Sequence, residues 1–422
     1  MLRRRTNQAG AGRPERMRAL RLFKTWFWRP PRPHGDTIID RRVTPLEALY
    51  DLVYAAVIAQ AGIPLARDVS LGNLIEFTIV FSLTWIAWIN GSLYYEIHGR
   101  TDGRSRALVF LQIGILATLA AFASDAGGST GRGFAVAYAL LMILMTWLWY
   151  EVRRQDVIAS RQQFVADAGR YVAAMAVSAV VILVSGFLPP FARLAIWAAV
   201  SIGWVLLLLV MGRSQAARIL AMIRTESLVE RFGLFTIIVL GEVVFSVVEG
   251  LSRTPHDLTT VATGMVGLLV GFGFWWIYFD VVGGKLPRGE DRAVAIWIVA
   301  HYPVTLSIAA AGVGMVSLLE RAHEGNTPSS TAWLLSGAAA LGMLAVVVIS
   351  HSLAESSRLT TIYRQTGIAL AMGAVASLII GLARPVPWLF GLLLSTVMVL
   401  VWAVAVRGFL LTGAWEPEHQ AR

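Results

Sequence analysis

The chain has no cysteine among its 422 residues, which excludes disulfides, thiolate metal sites and thiol nucleophiles. Charge is also scarce: 15% of residues are Asp, Glu, Lys or Arg, against roughly a quarter in a soluble domain. A phosphate-cradling glycine loop is missing, because Gly283-Gly284-Lys285 lacks the spacing. Neither a His-Glu-x-x-His metal motif nor a Gly-x-Ser-x-Gly turn occurs. From these absences we expect no enzymatic activity, no cofactor and no bound metal.

What is present is apolar, with 56% hydrophobic residues. Runs of about 20 residues, long enough to cross hydrocarbon at 1.5 Å rise each, recur with short polar breaks. Twelve are expected, at roughly 44–63, 74–95, 106–124, 133–152, 169–188, 191–212, 228–249, 261–282, 293–316, 332–353, 366–383 and 387–411. The fold class is therefore an all-α polytopic membrane protein with about twelve transmembrane helices in a lipid bilayer. Pro189-Pro190 is the weakest boundary, readable as a hairpin or as a break within one segment.

Positive residues test this topology, because they are retained on the cytoplasmic side. Of the 36 Lys and Arg, 30 fall in the first 42 residues, alternate loops and the C-terminal end, and six fall opposite. Both termini are expected to be cytoplasmic. Residues 1–42 hold twelve Lys/Arg and no apolar core followed by a cleavage site, so they read as a basic, disordered tail and not a signal peptide. Phe23, Trp26, Phe27 and Trp28 could rest on anionic headgroups, although a solvated tail is the plainer reading. Residues 413–422 form a short second tail. The net charge of +10 does not imply a nucleic-acid partner, since the basic residues follow membrane topology.

The chain also reads as two six-helix repeats, 43–212 and 213–412. Thr44-Pro45-Leu46-Glu47 is a capping box with proline at the first helical position, and Ser227-Leu228-Val229-Glu230 follows it at an offset of 183 residues. The next helix of each half has an aromatic cluster, Trp85 to Trp88 with Tyr94-Tyr95-Glu96, and Trp275-Trp276-Ile277-Tyr278-Phe279-Asp280. An even number of helices gives the halves a common orientation, about an axis along the membrane normal. Tryptophan's preference for membrane interfaces explains the clusters equally simply.

Ionisable residues inside apolar helices need a reason, since each costs roughly 2.5–3.5 kcal/mol on insertion scales. Asp51 and Asp280 lie past any cap, without a neighbouring base in sequence. Glu242, twelve residues after Glu230 and so about 18 Å along its helix, sits near or beyond mid-bilayer. With His301 these are the candidates for an ion, proton or substrate path, although His301 reads equally as a satisfied core histidine. Glu47, Glu230, Arg231 and Tyr278 are supporting candidates. Capping and helix dipoles explain both glutamates without a function, and Arg231 serves then only to neutralise a carboxylate. The glycines at 264, 267, 271 and 273 fit close helix packing.

These residues also carry a resemblance. Thr44-Pro45-Leu46-Glu47 running into Tyr50-Asp51-Leu52-Val53-Tyr54, Glu230-Arg231-Phe232-Gly233-Leu234 with Ile237 to Glu242, Trp276 to Asp280 and His301-Tyr302-Pro303 resemble, as an ordered set over roughly 42–410, the bacterial low temperature requirement protein A family. It departs at Ala48-Leu49-Tyr50, where the family has two aromatics before the aspartate, and at Tyr95-Glu96-Ile97-His98. The resemblance implies an integral protein of the bacterial inner membrane whose molecular activity is poorly defined. Leu49 to Ala55 is more weakly similar to the opening stretch of endolysosomal potassium channels, whose helix lines the pore, without its serine. The expected function is a proton- or cation-coupled transporter of an unknown small solute or ion. The alternatives are a channel-like conductor, and a membrane-embedded enzyme or structural factor acting on lipid. Substrate and oligomeric state are not legible.

Overall fold

A computed structural model describes residues 17–18, 21–23, 26–27, 29–36, 43–100, 102–211 and 224–411. Twelve helices in it are long and apolar enough to cross a membrane. We number them α1 (Pro45–Arg67), α2 (Leu71–His98), α3 (Gly103–Ala123), α4 (Gly131–Ile158), α5 (Gln162–Ser185), α6 (Pro190–Met211), α7 (Glu226–Arg253), α8 (Leu258–Val281), α9 (Asp291–Glu320), α10 (Ser329–Ser352), α11 (Thr360–Ala383) and α12 (Pro387–Leu411). The described residues contain no strand. Pro189-Pro190 separates two distinct helices, α5 and α6.

Local chemistry sets the starts. At α1, Thr44 accepts from the Glu47 backbone while the Glu47 carboxylate accepts from the Thr44 backbone, the reciprocal pair expected from sequence. Ser70, Asp102 and Asp257 cap α2, α3 and α8 through the same side-chain-to-backbone bond. The second capping box does not form. Thr225 caps α7 instead, so that helix begins at Glu226, earlier than the box implies; the Ser227 hydroxyl turns to Glu96 and Glu230 accepts from the Val43 backbone at 3.2 Å.

The helix ends lie on two faces. We call the one holding the start of α1 the basic face, after its arginines, and the other the distal face. Helices α2, α9 and α10 are the most enclosed, and α3, α5 and α6 expose the most side-chain surface. In the first half α1 packs on α2 and α3, α3 on α4, α4 on α5, and α2 on α6. In the second, α7 packs on α8 and α9, α9 on α10, α10 on α11, and α8 on α12. The halves meet where α1 touches α7 and α9, with α2 and α6 also against α9. Small residues permit these approaches: a Cβ on Gly312 of α9 would stand 3.2 Å from the α7 backbone at Glu242 and Val243. The glycines of α8 behave as the sequence suggested, Gly267 and Gly271 meeting Val247 and Val243, and Gly273 meeting Met398 of α12.

The tail differs from its expected disorder where it is described, helical at residues 17–18, 21–23 and 26–27 and folded at 30–36. Residues 30–36 fold beneath the basic face, where the backbone N–H of Arg32 donates to His98 and buried His34 bonds Asp156 of α4 through its backbone and its ring, at 2.8 and 2.7 Å. The reason is a buried acid at the end of α4 that requires a partner. Trp28 and residues 413–422 lie outside the described residues.

Candidate functional site

The site is built where α1 crosses α7. Asp51 is one turn past Glu47 on α1, and Arg231 is the sixth residue of α7; both are buried. The guanidinium grips the carboxylate side-on, Nη2 to Oδ1 at 3.0 Å and Nε to Oδ2 at 3.3 Å, and Trp88 of α2 donates its indole N–H to Oδ1 at 2.9 Å. Glu47 Oε1 stands 3.9 Å from Arg231 Nη1, which has no hydrogen-bond acceptor among the described residues. The ring of Tyr50 lies 5.8 Å from the Arg231 cation, and Tyr50 and Tyr54 share a hydrogen bond of 2.7 Å. A charge pair this deep persists only if its desolvation is offset by such multiple bonds. Trp88 stacks on Phe235 at 4.0 Å and meets Phe232 edge-on, which in turn touches Trp297 and His301. The result is an aromatic seal beside the ion pair, shared by α2, α7 and α9.

On the distal side of this seal the two halves separate. A cavity of about 430 Å³ begins at Leu52 and Ala55, one residue and one turn beyond Asp51, and extends to Arg253 at the end of α7. Its walls are α1, α7 and α9, and its polar groups are Gln60, Glu242, Ser246, Glu249 and Arg253. Glu242 is eleven residues beyond Arg231, three turns on the same face and about 16 Å further along. Arg253 is occupied with Glu249 and Glu320, and Glu242 makes no ion pair or hydrogen bond among the described residues.

The sequence candidates therefore do not share one cavity. Asp51, Glu47 and Arg231 form the ion-pair cluster, and Glu242 stands alone in the distal cavity. His301 is buried behind the seal, its Nδ1–H donating to the Trp297 carbonyl at 2.6 Å and its Nε2 facing the Tyr278 hydroxyl at 3.1 Å. It is a satisfied core histidine, held by Tyr278. Asp280 points away toward α12 and accepts from the Trp402 indole at 2.5 Å. Glu230 is exposed and ties the start of α7 to the chain before α1. Glu96, buried, accepts from Thr225 and Ser227 at the start of α7. Sequence reasoning missed Trp88 as a ligand of Asp51 and missed Gln60 and Ser246 as cavity walls; the last two could have been found as uncharged polar residues inside apolar runs. Among the described residues no three His, Asp or Glu side chains gather as a metal site.

A family profile described as bacterial low temperature requirement A protein (LtrA) matches residues 42–406. A protein of Rhizobium meliloti (strain 1021), named as uncharacterized, is 25% identical over 288 residues, covering 64% of this chain and 67% of its own length. No solved structure matches.

Proposed function

This chain belongs to the family of bacterial low temperature requirement A proteins, and we propose that it is a proton- or cation-coupled transporter of a small solute that works by alternating access between its two halves. The observation that carries this reading is the division of the α1–α7 contact into a sealed end at Asp51–Arg231 and an open end around Glu242. A site reached from one face while an inter-half ion pair closes the other is what alternating access requires. Glu242 is the coupling group: a carboxyl within the span, facing a cavity and without a described partner, takes up a proton or cation to lower its own cost. Asp51 and Arg231 are the gate on the basic face. The ion pair and the aromatic stack of Trp88 and Phe235 between this cavity and the basic face favour a transporter over a continuous pore.

Three further parts belong to this proposal. The two halves are repeats in parallel orientation, supported by the same packing order in each, first helix on second and third, second on sixth, third on fourth and fourth on fifth. The basic face is cytoplasmic and the membrane is the bacterial inner membrane, supported by the arginine bias. The protein is not an enzyme.

The test is uptake into proteoliposomes from a panel of small solutes under an imposed pH gradient. Glu242→Gln is expected to abolish gradient-driven uptake, and Asp280→Asn, outside the cavity, to retain it. Uptake unaffected by Glu242→Gln, or a steady ionic current without solute, contradicts the proposal.

A further inference from the structure

A second, larger cavity of about 940 Å³ opens on the basic face, on the side of α1 turned toward α3. Its rim carries four arginines: Arg29 and Arg32 from the segment before α1, Arg100 between α2 and α3, and Arg106 in the first turns of α3. Of its acids, Asp102 caps α3 by accepting the Ser105 N–H at Oδ1, its Oδ2 having no hydrogen-bond partner among the described residues, and Glu47 closes the α1 capping box. The Arg106 side chain is exposed and joins no ion pair among the described residues. Arg100 donates Nε to the Pro30 carbonyl at 2.8 Å, which fixes its direction at the rim.

Below the rim the wall becomes apolar, with Leu46, Val109 and Phe110. Phe110 is 74% exposed, so the cavity is continuous with the outer flank of α3. It stands seven residues into α3, about 10 Å below the helix start, the depth at which headgroups give way to acyl chains. Cations above and hydrocarbon-facing wall below match an amphiphile entering from the bilayer, whereas a free anion would use only the rim. We propose that this groove binds the phosphate group of an anionic phospholipid, with Arg100 and Arg106 on the headgroup and Val109 and Phe110 along the chains. The proposal is independent of the transport reading, since the groove and the Glu242 cavity share no lining residue.

The experiment is thermal unfolding of the purified full chain in a neutral detergent, titrated with dioleoylphosphatidylglycerol, with dioleoylphosphatidylcholine or with inorganic phosphate. Phosphatidylglycerol is expected to stabilise at concentrations at least about five-fold below phosphatidylcholine, and Arg106→Gln to weaken its apparent affinity about five-fold, the worth of one interfacial arginine. Arg407→Gln, which removes the same charge from exposed α12, is the control and leaves the titration unchanged. Unfolding without lipid verifies that Arg106→Gln folds normally, and Arg100→Gln repeats the test at the second rim residue. Equal effects of the two lipids, or an unchanged titration in both variants, overturns the proposal. Inorganic phosphate reproducing the shift overturns the lipid assignment.

Discussion

The guanidinium of Arg231 and the carboxylate of Asp51 meet at 3.0 Å across 180 residues of sequence, one on the first helix of each half. The pair fixes α7 against α1 at this depth through two nitrogens of one guanidinium and is completed by Trp88. The same contact is strong as a lock and unsuited to partial disruption, since either charge alone is buried without compensation.

Arg231→Met is therefore expected to destabilise the chain by about 3–5 kcal/mol, because Asp51 is left in the core with a single indole donor. Asp51→Leu combined with Arg231→Met recovers most of that loss by replacing both charges with apolar groups. Melting in detergent checks this, and a double variant as unstable as the single one would show that the pair is not the source.

Gly312→Ala is expected to cost about 1–3 kcal/mol, because its methyl meets the α7 backbone, which cannot rotate away as a side chain could. Gly337→Ala on α10, with open space at its Cβ, serves as the comparison and leaves the melting temperature unchanged or raises it slightly, since alanine is the better helix former.

His34→Ala removes the ring bond that the segment before α1 makes to Asp156 Oδ2 and leaves the backbone N–H bond to Oδ1 in place. An expected loss of about 1–3 kcal/mol follows from leaving one oxygen of a buried acid unsatisfied. Faster proteolysis of the first 42 residues should accompany it, measured as the rate at which the shortened chain appears.

Asp125, in the loop between α3 and α4, is held below the ordinary carboxylate range, chiefly by the Ser129 hydroxyl. A folded value below the unfolded one gives stability that is complete above about pH 4 and is lost as pH falls through the lower folded value. Asp125→Ala should thus melt below the parent at pH 6, and the gap should narrow as pH falls below 4.

Helix number and the α1 cap were legible because length, hydropathy and capping are local properties, and Thr44, Pro45 and Glu47 lie within four residues. The α7 start was misread because Thr225 and Ser227 both offer a hydroxyl; both donate to Glu96 on α2, and Thr225 is the one that also accepts the Leu228 N–H as the cap. Asp51 announced itself as an acid needing a reason, but its partner lay in the other half, and helix rotation is invisible in a nearly uniform apolar run. Asp280 gave the same signal as Asp51 and turned the other way, toward Trp402. Glu242 was singled out as a candidate by depth alone; the cavity around it depends on how far α1 and α7 diverge, which is a property of packing.

In the proposed transport cycle Glu242 is reached from the distal face and shut off from the basic face by Asp51–Arg231. Because the chain has no cysteine, a single Ser246→Cys beside Glu242 can be labelled without background. A membrane-impermeant maleimide applied to either face of sealed vesicles should modify it from the distal face alone, and from both faces once Asp51→Asn and Arg231→Gln are added together, which leaves neither charge buried without its partner. Equal labelling from both faces in the parent, or unaltered one-sided labelling in the Asp51→Asn, Arg231→Gln background, would contradict the account.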